Sequence, residues 1–156
     1  MGRYYHTDSG REGKFMFGVQ SSDDPQYMGM TGQEPTSIDY YADKDDEPEI
    51  RRMLDKQYDI IGIPQDKRLY YTDKKWEEYD KFEKEYLYPK VFVSVKEDDK
   101  EELEKHKKDI KYADDKQGYV MFEIKGMAIV LARIRLGITI LSDIKDNGEC
   151  WLNAEL

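Results

Sequence analysis

The chain has 156 residues, with 34 Asp and Glu against 25 Lys and Arg and a formal charge of −9. That length suits one domain, 1–156, whose core needs no disulfide or metal, and the single cysteine, Cys150, excludes an intrachain disulfide. The negative field repels nucleic acid unless basic groups segregate to one face, so direct nucleic-acid binding is not expected.

The opening residues Met1-Gly2-Arg3-Tyr4-Tyr5 hold no apolar run, so no secretory leader is expected. Gly2 lacks the Ser or Thr that myristoylation wants at the sixth position, which is His6. A soluble cytoplasmic protein is the expectation. Within Lys14–Gln20, Phe15, Phe17 and Val19 share one face at period two, which predicts a strand. Asp8-Ser9-Gly10 before it and Ser21-Ser22-Asp23-Asp24-Pro25 after it carry turn chemistry. A loop is predicted over 29–36 and a short strand over 37–42.

The acidic run Asp43 to Glu47 ends at Pro48, which reads as a helix start. Ile50, Met53, Leu54 and Tyr58 give that helix its apolar face, and Gly62 and Pro64 close it. Arg68-Leu69-Tyr70-Tyr71 reads as extended. Thr72 or Asp73 can then cap a helix carrying Trp76, Tyr79, Phe82 and Tyr86, with Pro89 as its stop. Val91–Val95 is short and β-branched, hence a strand. Asp98 and Glu101 have capping-box spacing for a peripheral helix, or a mobile arm, through about Tyr112.

Tyr119 to Ile144 is the most apolar stretch, and the rest of the chain is organised around it. Val120, Ile124, Met127, Leu131, Ile134, Ile138 and Leu141 recur at four- and three-residue steps, which predicts a central helix. Val130, Ala132 and Ile140 lie off that stripe, so the helix is expected to be covered on more than one face. The competing reading is a strand pair turning at Gly126 and Gly137. A membrane span fails because Lys125, Arg133 and Arg135 interrupt the run. After an Asn147-Gly148 stop, Cys150–Leu156 reads as a strand with Cys150, Leu152 and Ala154 on one face. The predicted fold is α+β: a small antiparallel sheet from the two ends, packed on about four helices, with the central helix near 119–144.

No catalytic motif occurs, and two histidines with one cysteine cannot build a usual zinc site. No catalytic residue, metal site or cofactor is therefore assigned. A Cys150–His6 nucleophilic pair requires the end strands to adjoin, and a buried apolar cysteine is the simpler reading. Asp23 and Asp24, beside Asp8 and Glu12, offer Mg²⁺ ligands for a hydrolase, against a plain turn-capping role. Asp43, Asp45 and Glu47 imitate the opening of a calcium loop, but its sixth position is Pro48 and its twelfth Leu54. Lys105-His106-Lys107-Lys108 is balanced by Glu101, Glu102 and Glu104, a solvated face.

Thirteen tyrosines and the acidic balance point to a docking surface. Its candidate partner-binding residues are Asp43, Asp45, Asp46, Glu47, Tyr70, Tyr71, Glu77, Glu78, Asp98 and Asp99. Such a surface can occupy a basic groove in place of nucleic acid. Gly2-Arg3-Tyr4-Tyr5, the block Gly13–Asp24 and the ending Gly148–Leu156 resemble a family of small uncharacterised phage and large-virus proteins. The resemblance implies a mobile-element protein that binds a host protein complex and inhibits defence or nucleic-acid processing, as anti-CRISPR proteins do. It transfers no catalytic residue. A virion assembly protein and the Asp23/Asp24 hydrolase are the alternatives.

Overall fold

Cys150, Leu152 and Ala154 alternate with Trp151 and Asn153, and this period of two makes the last strand the middle of a sheet. The computed structural model describes residues 4–32 and 38–154. The last strand, β8 (Glu149–Ala154), buries Cys150, Leu152 and Ala154 completely and turns Trp151 outward. It lies between β1 (Tyr4–Thr7) and β4 (Asp39–Asp43), antiparallel to both. Outside these are β2 (Glu12–Lys14) and β3 (Thr31–Gly32), giving the order β2-β1-β8-β4-β3. The α+β class and the sheet drawn from both chain ends are as predicted.

The N-terminal partner differs from the prediction. The strand beside β8 is β1, and of the predicted Lys14–Gln20 strand only Lys14, the end of β2, is in a strand, the rest forming a turn. Val19 and Gln20 donate their N–H groups to Met16 O at 3.1 and 2.8 Å, and Gln20 Oε1 accepts from Met16 N–H. Phe15 is buried, whereas Phe17 is 75% exposed: the alternation is present, but among the described residues no strand pairs with residues 15–20.

Two long helices fill the core. α2 (Glu47–Ile61) starts at the acidic run, carries Pro48 in its first turn and ends at Gly62, as predicted. α6 (Met127–Asn147) lies between α2 and the sheet. Sandwiched there, it buries residues on every side, including Ile134, Leu136, Ile138 and Ile140. It does not start at 119. Tyr119–Glu123 is strand β7, and the chain turns at Gly126, whose φ of +83° an L side chain rarely adopts. The helical and strand readings of this stretch each hold for part of it.

A short α1 (Asp24–Tyr27) follows the first turn. Between α2 and β7, helix α3 (Glu77–Phe82) runs through a π turn at Glu83–Leu87 into α4 (Tyr88–Val91). Pro89 therefore sits inside a helical run: it occupies the first turn of α4, where a missing N–H costs little. Then β5 (Phe92–Lys96) leads to α5 (Lys100–Lys105) and β6 (Ile110–Ala113). The helix predicted to reach Tyr112 thus ends early, because Ile110–Ala113 pairs with β7 instead. These strands form a second sheet, β5-β7-β6, with its own small cluster of Val95, Val120 and Phe122. Residues 1–3, 33–36 of the predicted loop, Ser37 of the predicted strand, and Glu155 and Leu156 lie outside the described residues.

Tyr5 fixes one edge of the main sheet. Its ring lies edge-on to Phe15 at 4.9 Å and crosses over Gly13, its cross-strand partner. A Cβ at Gly13 would stand 2.4 Å from that ring. Gly13→Ala is expected to displace Tyr5 and cost about 1–3 kcal/mol, read as a lower urea midpoint at unchanged slope.

Candidate functional site

Residues 43–46 turn the chain from β4 into α2, and their carboxylates build that turn. Asp43 Oδ1 accepts from Asp45 N–H and Asp46 Oδ2 from Asp43 N–H, both at 2.9 Å. Acids at the head of α2 also complement its dipole. Strand pairing sets Asp43 opposite Glu149, and Tyr41 Oη donates to both, at 3.4 and 3.3 Å. The Tyr41 ring rests on Trp151, with centroids 4.5 Å apart. Burial, then the Asp43 and Glu149 charges, raise the Tyr41 pKa. Tyr71 Oη donates to Glu47 at 2.9 Å, and burial and that bond raise its pKa as well. Both phenols therefore stay neutral donors.

The acidic surface continues over the end of α6. One hollow is lined by Tyr71, Thr72, Asp73, Glu78, Ser142, Lys145 and Asp146, and an adjoining one by Asp8, Ser9, Asp143, Asn147, Glu149 and Trp151. Lys44 and Lys145 are interspersed, with Lys145 4.5 Å above the Tyr71 ring. The C-terminus of α6 adds its own negative dipole end.

A buried ion network underlies this end. Arg11, 1% exposed, donates to Asp143 Oδ1 at 2.7 Å and also pairs with Asp146. Its second Nη donates to Thr72 O at 3.4 Å, and Thr7 Oγ1 donates to Asp143 at 3.3 Å. Thr72 N–H in turn donates to Ser142 Oγ at 2.9 Å. Arg11 thus ties the N-terminal hairpin, the segment before α3 and the end of α6 together.

Of the predicted residues, the fold gathers Asp43, Asp45, Asp46, Glu47, Tyr71 and Glu78 at this one end. Tyr70 lies just beyond, stacked under Arg51 at 3.9 Å and donating to Asp55. Glu77 is exposed at the start of α3, where its N–H donates to Asp73 Oδ1. Asp98 and Asp99 stand apart, in the turn between β5 and α5, where Asp99 caps α5 through Glu102 N–H at 3.1 Å. Sequence reasoning missed Asp8, Asp73, Asp146 and Glu149. Asp8 carries a turn signal, Asp73 a helix-cap signal and Glu149 the neighbouring Asn147-Gly148 stop, but none of these local signals points to docking.

The other constellations come apart. Asp24 is buried, pairing with Arg133 at 2.9 Å and accepting from Gln20 at 2.7 Å, so both its oxygens are engaged, while Asp23 is exposed. Among the described residues no three His, Cys, Asp or Glu side chains are placed to hold a metal ion. His6 is exposed opposite Asn153, whereas Cys150 is on the buried face of β8. Burial and the Asp143 charge push the Cys150 thiol well above its ordinary pKa, so it is a poor nucleophile. Among the described residues no helix is long and apolar enough to cross a membrane. Compared with family models, curated proteins and solved structures, the chain finds no match.

Proposed function

We propose that the protein is a non-catalytic binding module whose acidic, tyrosine-lined end docks into a basic groove of a protein partner. The observation that carries this is the convergence at one end of the Asp43–Glu47 turn, Asp73, Glu78, Asp146 and Glu149. Carboxylates held at fixed spacing on a folded surface present a field like that of a phosphate backbone, and Tyr41, Tyr71 and Trp151 supply rigid apolar area among them. In this reading the partner is a host protein complex of defence or nucleic-acid processing. The likeness of both chain ends to small phage and large-virus proteins supports that context.

The test is capture from host lysate, with nuclease treatment, by the wild-type chain and by Asp45→Lys/Glu78→Lys/Glu149→Lys. A single stoichiometric partner, released by salt, is expected for the wild type. The triple variant should bind it at least about 100-fold more weakly, ~2.7 kcal/mol. Asp98→Lys, in the turn between β5 and α5, should bind normally. An empty capture, or equal binding by the triple variant, rejects the reading.

A further inference from the structure

A hollow of about 310 Å³ opens beside the 15–20 turn, on the sequence-proximal half of α6. Arg135 and the acidic residue Asp146 are eleven positions apart on that helix, about 16 Å at 1.5 Å per residue. Phe15, Phe17, Leu131 and Ala132 give the hollow apolar walls; Lys14, Glu83 and Arg135 are the charged groups lining it.

The structure around Arg135 is irregular in several independent ways. Its guanidinium lies over two aromatic rings, Tyr79 at 5.1 Å and Trp76 at 5.6 Å. Trp76 is the one described non-glycine residue with positive φ, +64°. Glu83 opens the π turn, a distortion found often at functional sites. Its contact with Arg135 is a single 3.4 Å approach, too long for a strong charge-assisted bond. Among the described residues Arg135 Nε has no acceptor, and the fully buried Tyr79 Oη makes no well-formed hydrogen bond, with the Glu83 carboxylate as the group that acts on it. The strained Trp76 backbone and the unmet polar groups of Arg135 and Tyr79 meet at Arg135, whose side chain lines the hollow, and such irregularity is common at binding sites and uncommon in a finished core.

We propose that this hollow binds a small amphipathic carboxylate, its head on the Arg135 guanidinium and its tail on Phe15, Phe17 and Leu131. A guanidinium matches a carboxylate through two parallel N–H donors. Arg135 and Lys14 against Glu83 leave one net positive charge, which suits a monoanion better than a phosphate dianion. The volume is at the small end of ligand pockets, about 300–1,000 Å³. A tail lying on Phe17 also covers a ring that the fold leaves in water.

Octanoate is the probe and octan-1-ol its neutral counterpart, titrated by calorimetry and mapped by amide chemical shifts. Octanoate should saturate one site with Kd below about 1 mM, at least about tenfold tighter than octanol. Shifts should concentrate at residues 14–17 and 131–135. Arg135→Gln should remove the preference for octanoate, and Ala132→Phe, which fills the hollow, should abolish binding of both. No saturation by octanoate, equal affinity for octanol, shifts mapping elsewhere, or undiminished binding by Ala132→Phe each overturns the proposal. The comparison of octanoate with octanol on the wild type stands even where Arg135→Gln does not fold.

Discussion

Arg11→Met is expected to cost the fold about 3–5 kcal/mol, the penalty for stranding a buried charge. Asp143, its partner, is 2% exposed at the side chain, and without Arg11 its carboxylate keeps the Thr7 and Ser9 hydroxyls and the weakly donating Cys150 thiol but no positive charge. The loss of Arg11 also removes the ties to Asp146 and to Thr72 O. Arg11→Met/Asp143→Leu should recover most of the loss, because an apolar pair strands no charge. By contrast Arg52, paired with Glu49 on the exposed face of α2 where solvent screens the pair, should leave the urea midpoint essentially unchanged when changed to Met. Equilibrium urea unfolding of the single and double variants measures all of these. A double variant no better than Arg11→Met would show that Asp143 is not the group that suffers.

The pH dependence of that deficit has a definite sign. Burial raises the Asp143 pKa in the native protein, and Arg11 is the main group holding it down. Without Arg11 it rises further. A carboxyl with a raised native pKa binds its proton more tightly folded than unfolded, so its contribution favours the fold at low pH and is lost as pH rises through the native value. The Arg11→Met deficit should therefore be full at neutral pH and shrink as the solution is acidified through the carboxylate range.

This network also shows where sequence reading stops. Arg11 and Asp143 are 132 positions apart, and no spacing rule links them. Arg11 follows a turn signal and reads as exposed; only the pairing of β1 with β8 buries it. The strand β1 was missed for the same reason, since the burial of Tyr5 and Thr7 depends on a partner at the far end of the chain. Elements with local punctuation were legible. Pro48 and Gly62 bracket α2, and the alternation of Cys150, Leu152 and Ala154 marks β8. The 119–144 stretch misled because Val120 and Ile124 fall in phase with Met127 and Leu131. The same Val120, with Phe122, also satisfies a strand, and Gly126 was the signal that separates the two. The acidic end was legible in the Asp43–Glu47 run and in Tyr71 and Glu78. Asp8, Asp73 and Asp146 join it through the fold alone.

Leu54→Ala is expected to destabilise the protein by about 2–5 kcal/mol, toward the upper end of that range. Leu54 is fully buried where α2 crosses α6, and the residue facing it is Gly137. A glycine has no side chain to lean into the space left behind, and two helices held at both ends cannot close on it, so the cavity persists. Ile60, half exposed on the same helix, should change stability by no more than about 0.5 kcal/mol on truncation to Ala. Adding Gly137→Ala supplies the complementary test. In the wild type a Cβ there would meet Leu54 Cδ1 at 3.3 Å and Met28 Cε at 2.8 Å. With Leu54 cut back, only the flexible Met28 tip must shift. The new methyl then occupies part of the cavity, and the helix gains roughly 1 kcal/mol of propensity. The pair should be more stable than the sum of its single changes. Because Leu54 lies two turns below Glu47, its loss should leave the acidic end intact in every folded molecule. Binding measured well below the thermal midpoint should then be unchanged, which separates the core that carries the surface from the surface itself.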